Sequence, residues 1–151
     1  MKNYEFGVWL VPKSCRKLDF IKHQPHITIM CLKKEEDAIE YCNLLKIHLK
    51  NDIMNATIYS ESYMVNGSYK DDDLLKSCGF RCYVDDWYTA QRASYLFKNK
   101  GVFSYNPHLS SSYAVKKSNL EIKNLDEQID IKCNIEVVDI SDDNPENWEI
   151  L

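Results

Sequence analysis

At 151 residues the chain suits one domain built on a single core, and 44% hydrophobic with 28% charged residues excludes a disordered chain. A net charge of −4 and a pI near 5.6 exclude the broad basic surface that wrapping long nucleic acid requires. They leave room for a small nucleotide in a locally positive cleft.

The elements follow in chain order. Tyr4 to Val11 is aromatic and β-branched and is stopped by Pro12, which predicts a first strand. A polar connection over 13–24, with a helical turn near Leu18 to Ile21, leads to Pro25 and a strand from His26 to Leu32. Glu35 to Lys50 predicts a helix, with Ile39, Cys42, Leu45 and Leu49 on its apolar face and acidic residues at its start. Asn55 to Val65 reads as a strand, followed by a turn at Asn66-Gly67 and a solvated loop at Asp71-Asp72-Asp73. A short strand spans Phe80 to Val84. A second helix runs from Trp87 to Lys98, with Tyr88, Ala90, Ala93, Leu96 and Phe97 as its buried face, and Gly101 ends it. Pro107 to Val115 and Ile129 to Ile140 are the last predicted strands, before an acidic tail over 141–151 that carries Trp148.

Six cysteines (Cys15, Cys31, Cys42, Cys78, Cys82 and Cys133) contain no C-x-x-C pair, so reduced thiols and no metal or other cofactor are expected. The amino terminus lacks the long apolar core of a secretory leader, and no run approaches the roughly 18 apolar residues of a membrane span. The expectation is a cytoplasmic monomer with no membrane partner.

The chemistry lies in a repeated phrase. Pro25-His26-Ile27-Thr28-Ile29 and Pro107-His108-Leu109-Ser110-Ser111 each put a histidine two residues before a hydroxyl. In an extended strand, residues i and i+2 share a face, so each imidazole projects beside its hydroxyl while Ile27 or Leu109 turns inward. A lone H-x-[ST] is a common accident on a strand; two copies, each after proline, point to one bipartite site. The order of elements then reads as α+β: two similar β/α halves, with antiparallel sheets around a central cleft that both histidines face. The tail over 141–151 is a candidate lid on this single domain, residues 1–151.

Two imidazoles can divide acid and base roles near neutral pH, each worth on the order of 10² to 10⁴ in rate. Thr28, Ser110 and the ring N–H groups would hold the non-bridging oxygens of a phosphodiester. Cleavage beside a ribose 2′-OH needs these parts and no metal. His23, in a polar loop, and His48, on a helix, lack the phrase and read as structural. Cys31 and the aromatics Tyr88, Tyr95 and Phe97 read as packing.

The paired phrases resemble the H-Φ-[ST]-Φ signature of the two-histidine (2H) phosphoesterases, with Ser111 standing where an apolar residue is usual. Phe6 to Pro12, the motif pair and Asn144-Pro145-Glu146-Asn147-Trp148 together resemble the small anti-CBASS phosphodiesterases of bacteriophages. The resemblance implies a two-lobed, LigT-like fold and metal-independent cleavage of 3′–5′ bonds in cyclic di- and trinucleotide immune signals. It makes His26 and His108 the catalytic pair, with Thr28 and Ser110 as phosphate ligands. Trp148 would be a base-stacking lid residue, and Trp9, Tyr113 and Glu146 further substrate contacts. Alternatives are an RNA-end or 2′,5′-oligoadenylate phosphodiesterase and a non-catalytic nucleotide sponge.

Overall fold

The computed structural model describes residues 4–65 and 74–151. Its eight strands are β1 (Phe6–Pro12), β2 (Ile27–Leu32), β3 (Ile53–Met64), β4 (Lys76–Val84), β5 (Gly101–Phe103), β6 (His108–Ala114), β7 (Ile129–Asp139) and β8 (Glu149–Ile150). Two helices, α1 (Glu35–Leu49) and α2 (Trp87–Ser94), follow β2 and β4 respectively.

All strand pairings are antiparallel, in the order β1-β2-β6-β4-β3-β7, and β7 returns to pair with β1 from Phe6↔Asp139 to Pro12↔Cys133. The result is a closed six-stranded barrel, with β5 added to β2 and β8 to β7. The register fixes which side chains face inward. Leu10 pairs with Ile27 and Ile135, Ile58 with Cys82 and Ile129, and Phe80 with Leu109. All of these side chains are buried in one cluster, to which α1 adds Ala38, Tyr41, Cys42 and Leu45 and α2 adds Ala90 and Ala93. On the outer face β3, β4 and β7 expose Asn55, Arg81, Asp130 and Lys132, the alternation expected of strands wet on one side.

The architecture corrects the two-lobed, duplicated α+β expectation. The long strand β7 hydrogen-bonds to β1 on one side and β3 on the other, so the two predicted halves share one ladder instead of facing each other across a cleft. Closure leaves the ring without an unpaired edge. What survives of the duplication is local, at the junction of β2 and β6.

The helices differ in detail from the sequence pattern. On α1 the buried stripe is Ala38, Tyr41, Cys42 and Leu45, and Ile39 is 45% exposed. The Tyr41 hydroxyl donates to the Ala90 carbonyl at 2.7 Å and ties the two helices together. The second helix ends at Ser94 and passes into a 3₁₀ turn over Tyr95–Phe97, which leaves Tyr88 and Leu96 exposed. The first connection carries a 3₁₀ turn at Arg16–Leu18, slightly earlier than expected. The turn at Asn66-Gly67 and the acidic Asp71-Asp72-Asp73 loop lie outside the described residues. Among the described residues no helix is long and apolar enough to cross a membrane.

Candidate active site

The two motif strands are neighbours. Ile27 of β2 pairs with Leu109 of β6, and both side chains are fully buried. Carrying that antiparallel register one residue each way sets His26 opposite Ser110 and Thr28 opposite His108, all on the outer face. A local twofold relation therefore runs through the Ile27–Leu109 pair, with one imidazole and one hydroxyl on each side of it.

Both histidines are anchored alike. His26 Nδ1 lies 2.9 Å from the Gln24 carbonyl, and His108 Nδ1 lies 2.8 Å from the Asn106 carbonyl. A carbonyl can only accept, so each Nδ1 carries the hydrogen and each neutral ring keeps an unprotonated Nε2 for proton transfer. The prolines at 25 and 107 fall between each histidine and its acceptor, where a restricted φ favours this local turn of the chain.

The surroundings of the two rings differ. His26 is 3% exposed and stacks flush on Trp9, with centroids 3.5 Å apart and planes 7° apart. Trp148 meets the His26 ring edge at 6.0 Å and also contacts Trp9 and Tyr113. His108 is half-buried at the rim. Burial pushes the His26 imidazole down to about 3, and the nearby His23 and His108 act in the same direction against its Gln24 hydrogen bond. Burial also pushes the Tyr113 phenol up to about 12, opposed by its hydrogen bond with the Ser110 side chain.

The acidic tail is a folded cover. Asn144 caps a 3₁₀ turn by accepting from the Glu146 N–H at 3.0 Å, and the Trp148 indole donates to the Asp142 carbonyl at 2.7 Å. Strand β8 then pairs with the end of β7, Val138↔Ile150 and Asp139↔Glu149. Trp9, Val11, Val138 and Ile140 form a second, smaller apolar cluster on the outer face, and Trp148 packs onto it. Apolar contact thus holds an otherwise polar segment against the site.

No protein-family model and no curated protein matches the chain. Its chemistry is read from this geometry.

Of the residues singled out in the sequence, His26, Trp9, Tyr113 and Trp148 meet in one aromatic cluster, and the β1–β2 register sets Thr28 opposite Trp9. Glu146 is exposed and touches neither motif histidine; its charge reaches His23. Ser111, the departure from the motif, is the extra residue of a β-bulge, since Cys78 pairs with Ser112 and Gly79 with Ser110.

His23 is structural, as expected, but its place is closer to the site than the sequence indicates. It is not a loop bystander: it is 6% exposed, its Nε2–H donates to the Ser110 carbonyl at 2.9 Å, and its ring meets those of His26 and Tyr113 edge-on. Only one residue pair joins β2 to β6, and His23 adds a second tie between the half-sites. Burial lowers its imidazole below the ordinary range. No local signal marks it, because its partner lies on another strand.

A cavity of about 350 Å³ adjoins His23 and Tyr113, walled by Lys22, Glu121 and the tail turn from Asp143 to Glu146. Neither motif histidine lines it. Among the described residues, no group of three or more His, Cys, Asp or Glu side chains converges as a metal site.

The depressed imidazoles make acid stability a test of this burial. In the unfolded chain His26 takes a proton near pH 6.5, whereas the folded site holds it neutral down to about 3. The unfolded state therefore binds more protons below 6.5, and folding stability falls as pH drops, by up to about 1.4 kcal/mol per pH unit. Urea unfolding at pH 7 and pH 5 is expected to differ by about 2 kcal/mol from His26, and His23 acts in the same direction. In His26→Gln this loss shrinks; an undiminished loss would assign the acid sensitivity elsewhere.

Proposed function

We propose that the protein is a phosphodiesterase acting on small cyclic oligonucleotides through His26 and His108. The observation that carries the reading is the matched pair of tautomer-fixed imidazoles on adjacent strands, each two residues along its strand from its own hydroxyl and opposite the other's. One ring accepts the proton of a ribose 2′-OH at Nε2 as the 2′ oxygen attacks the adjacent phosphorus. The P–O5′ bond breaks, and the other ring delivers a proton to the leaving 5′ oxygen. The product is a 2′,3′-cyclic phosphate and a free 5′-OH. Thr28 and Ser110 donate to the non-bridging oxygens as charge builds there.

In the closed form burial keeps His26 neutral; once the tail lifts, either imidazole can act as base with the other as acid. In the closed arrangement Trp148 occupies the space beside His26, so the tail lifts to admit a nucleotide, and a base replaces Trp148's contact or stacks on it. An aromatic–base stack of that kind is worth about 1–3 kcal/mol. The negative net charge and the absence of a basic stripe favour a small ligand over long RNA. The motif-level likeness to two-histidine phosphoesterases of bacteriophages supports a cyclic-nucleotide immune signal as substrate and the host cytoplasm as its setting.

The test is incubation with a panel of cyclic di- and trinucleotides in EDTA, read by chromatography and mass. Linear products bearing a terminal 2′,3′-cyclic phosphate or its hydrolysed form are expected. Intact nucleotides that co-elute with the protein would make it a sponge, and cleavage confined to RNA ends or 2′,5′-oligoadenylates would reassign the substrate.

A further inference from the structure

We infer that Arg81 and Tyr63 form a shelf beside the His108 half-site that takes a second phosphate of the substrate. The inference rests on the phosphodiesterase reading for its substrate, but the shelf's anion affinity is separable from it.

Two rows of side chains cross the outer face of the barrel. In one, Trp9 faces Thr28, Thr28 faces His108 by continuation of the register, and His108 faces Arg81. In the other, Ser110 faces Gly79, and Gly79 faces Tyr63. Paired residues on one face have their Cβ atoms about 5 Å apart, so Arg81 is the next side chain beyond His108.

Arg81 is exposed, and its guanidinium carbon lies 3.9 Å from the centre of the Tyr63 ring. Stacking on a ring orients the guanidinium without neutralising it or using its N–H donors. Among the described residues no carboxylate pairs with Arg81. In a chain of net charge −4 this is an oriented, unneutralised cation at the rim of a site built for phosphate. The scissile phosphate already has two imidazoles and two hydroxyls around it. The planar fork of Arg81 suits another phosphate bidentately, and a cyclic dinucleotide carries one more than the bond being cut.

The experiment compares wild type, Arg81→Met and Arg81→Lys on a cyclic diadenylate, with two phosphates, and on linear diadenosine monophosphate, with one. For Arg81→Met, KM on the cyclic substrate is expected to rise about tenfold with kcat little changed, and neither constant should move on the monophosphate. Arg81→Lys should recover only part of the loss. In parallel, inorganic pyrophosphate is titrated into protein carrying ¹⁵N-arginine, and the Arg81 Nε–H resonance is expected to shift saturably. Equal effects on both substrates, a fall in kcat alone, or an unmoved Arg81 resonance would overturn the shelf. If wild type cleaves neither substrate while pyrophosphate still shifts Arg81, the shelf stands and the phosphodiesterase reading fails.

Discussion

His108→Ala is expected to lower cleavage of a susceptible cyclic nucleotide by about 10² to 10⁴, the usual worth of a positioned acid or base, while leaving the fold intact. His108 is half-buried, and its one described side-chain hydrogen bond is to the Asn106 carbonyl two residues away, so its removal disturbs little beyond its own turn. His26→Gln should cost a similar factor and keep a polar group against the Gln24 carbonyl. In the proposed mechanism the two rings share one proton circuit, so the double variant should be little slower than either single one. Single-turnover rates in EDTA, with thermal unfolding run alongside, make the check. Cleavage that survives both substitutions would remove the two-histidine mechanism, whatever the products.

Gly79→Ala is expected to be among the most damaging single-methyl changes at the described positions. A Cβ built at Gly79 falls 2.1 Å from the Leu109 carbonyl oxygen and 2.7 Å from Ser110 Cα. These are backbone atoms of the motif strand, so no rotamer change relieves the overlap, and β4 and β6 must separate. Overpacking of this kind costs about 3 kcal/mol, and the movement falls on Leu109 and Ser110 themselves. Urea unfolding should register the loss, and activity measured well below the new midpoint should also drop, since Ser110 shifts relative to His26. A fully active, fully stable Gly79→Ala protein would mean that β6 can move without harm to the site.

Much of the site is legible in the sequence because its parts are local. Strand period, the prolines at 25 and 107 and the i, i+2 spacing of His26 with Thr28 and His108 with Ser110 all act within five residues. Trp9 and Trp148 also meet at His26, and Tyr113 joins them through Trp148 and His23, although Glu146 stays at the cavity wall. His23 is illegible for the opposite reason. Its role comes from the Ser110 carbonyl, 87 residues away, and a backbone acceptor leaves no mark on residue identity. Two short strands escape notice as well: β5 has three residues and β8 two, too few for periodicity to register.

What the sequence determined by itself is the longer strands, the two helices, and the pairing of imidazole with hydroxyl on one face of each motif strand. Alternation and proline restriction are properties of a few consecutive residues, and they act before any distant contact forms. Only the tertiary structure decided that β7 lies between β1 and β3, closing a barrel where two lobes are expected. It also decided that the tail seals His26 under Trp148 and that Arg81 stands beside His108. Those outcomes depend on register between strands far apart in the chain, where many pairings satisfy the same alternation. The choice among them is made by how much apolar surface the closed ring buries.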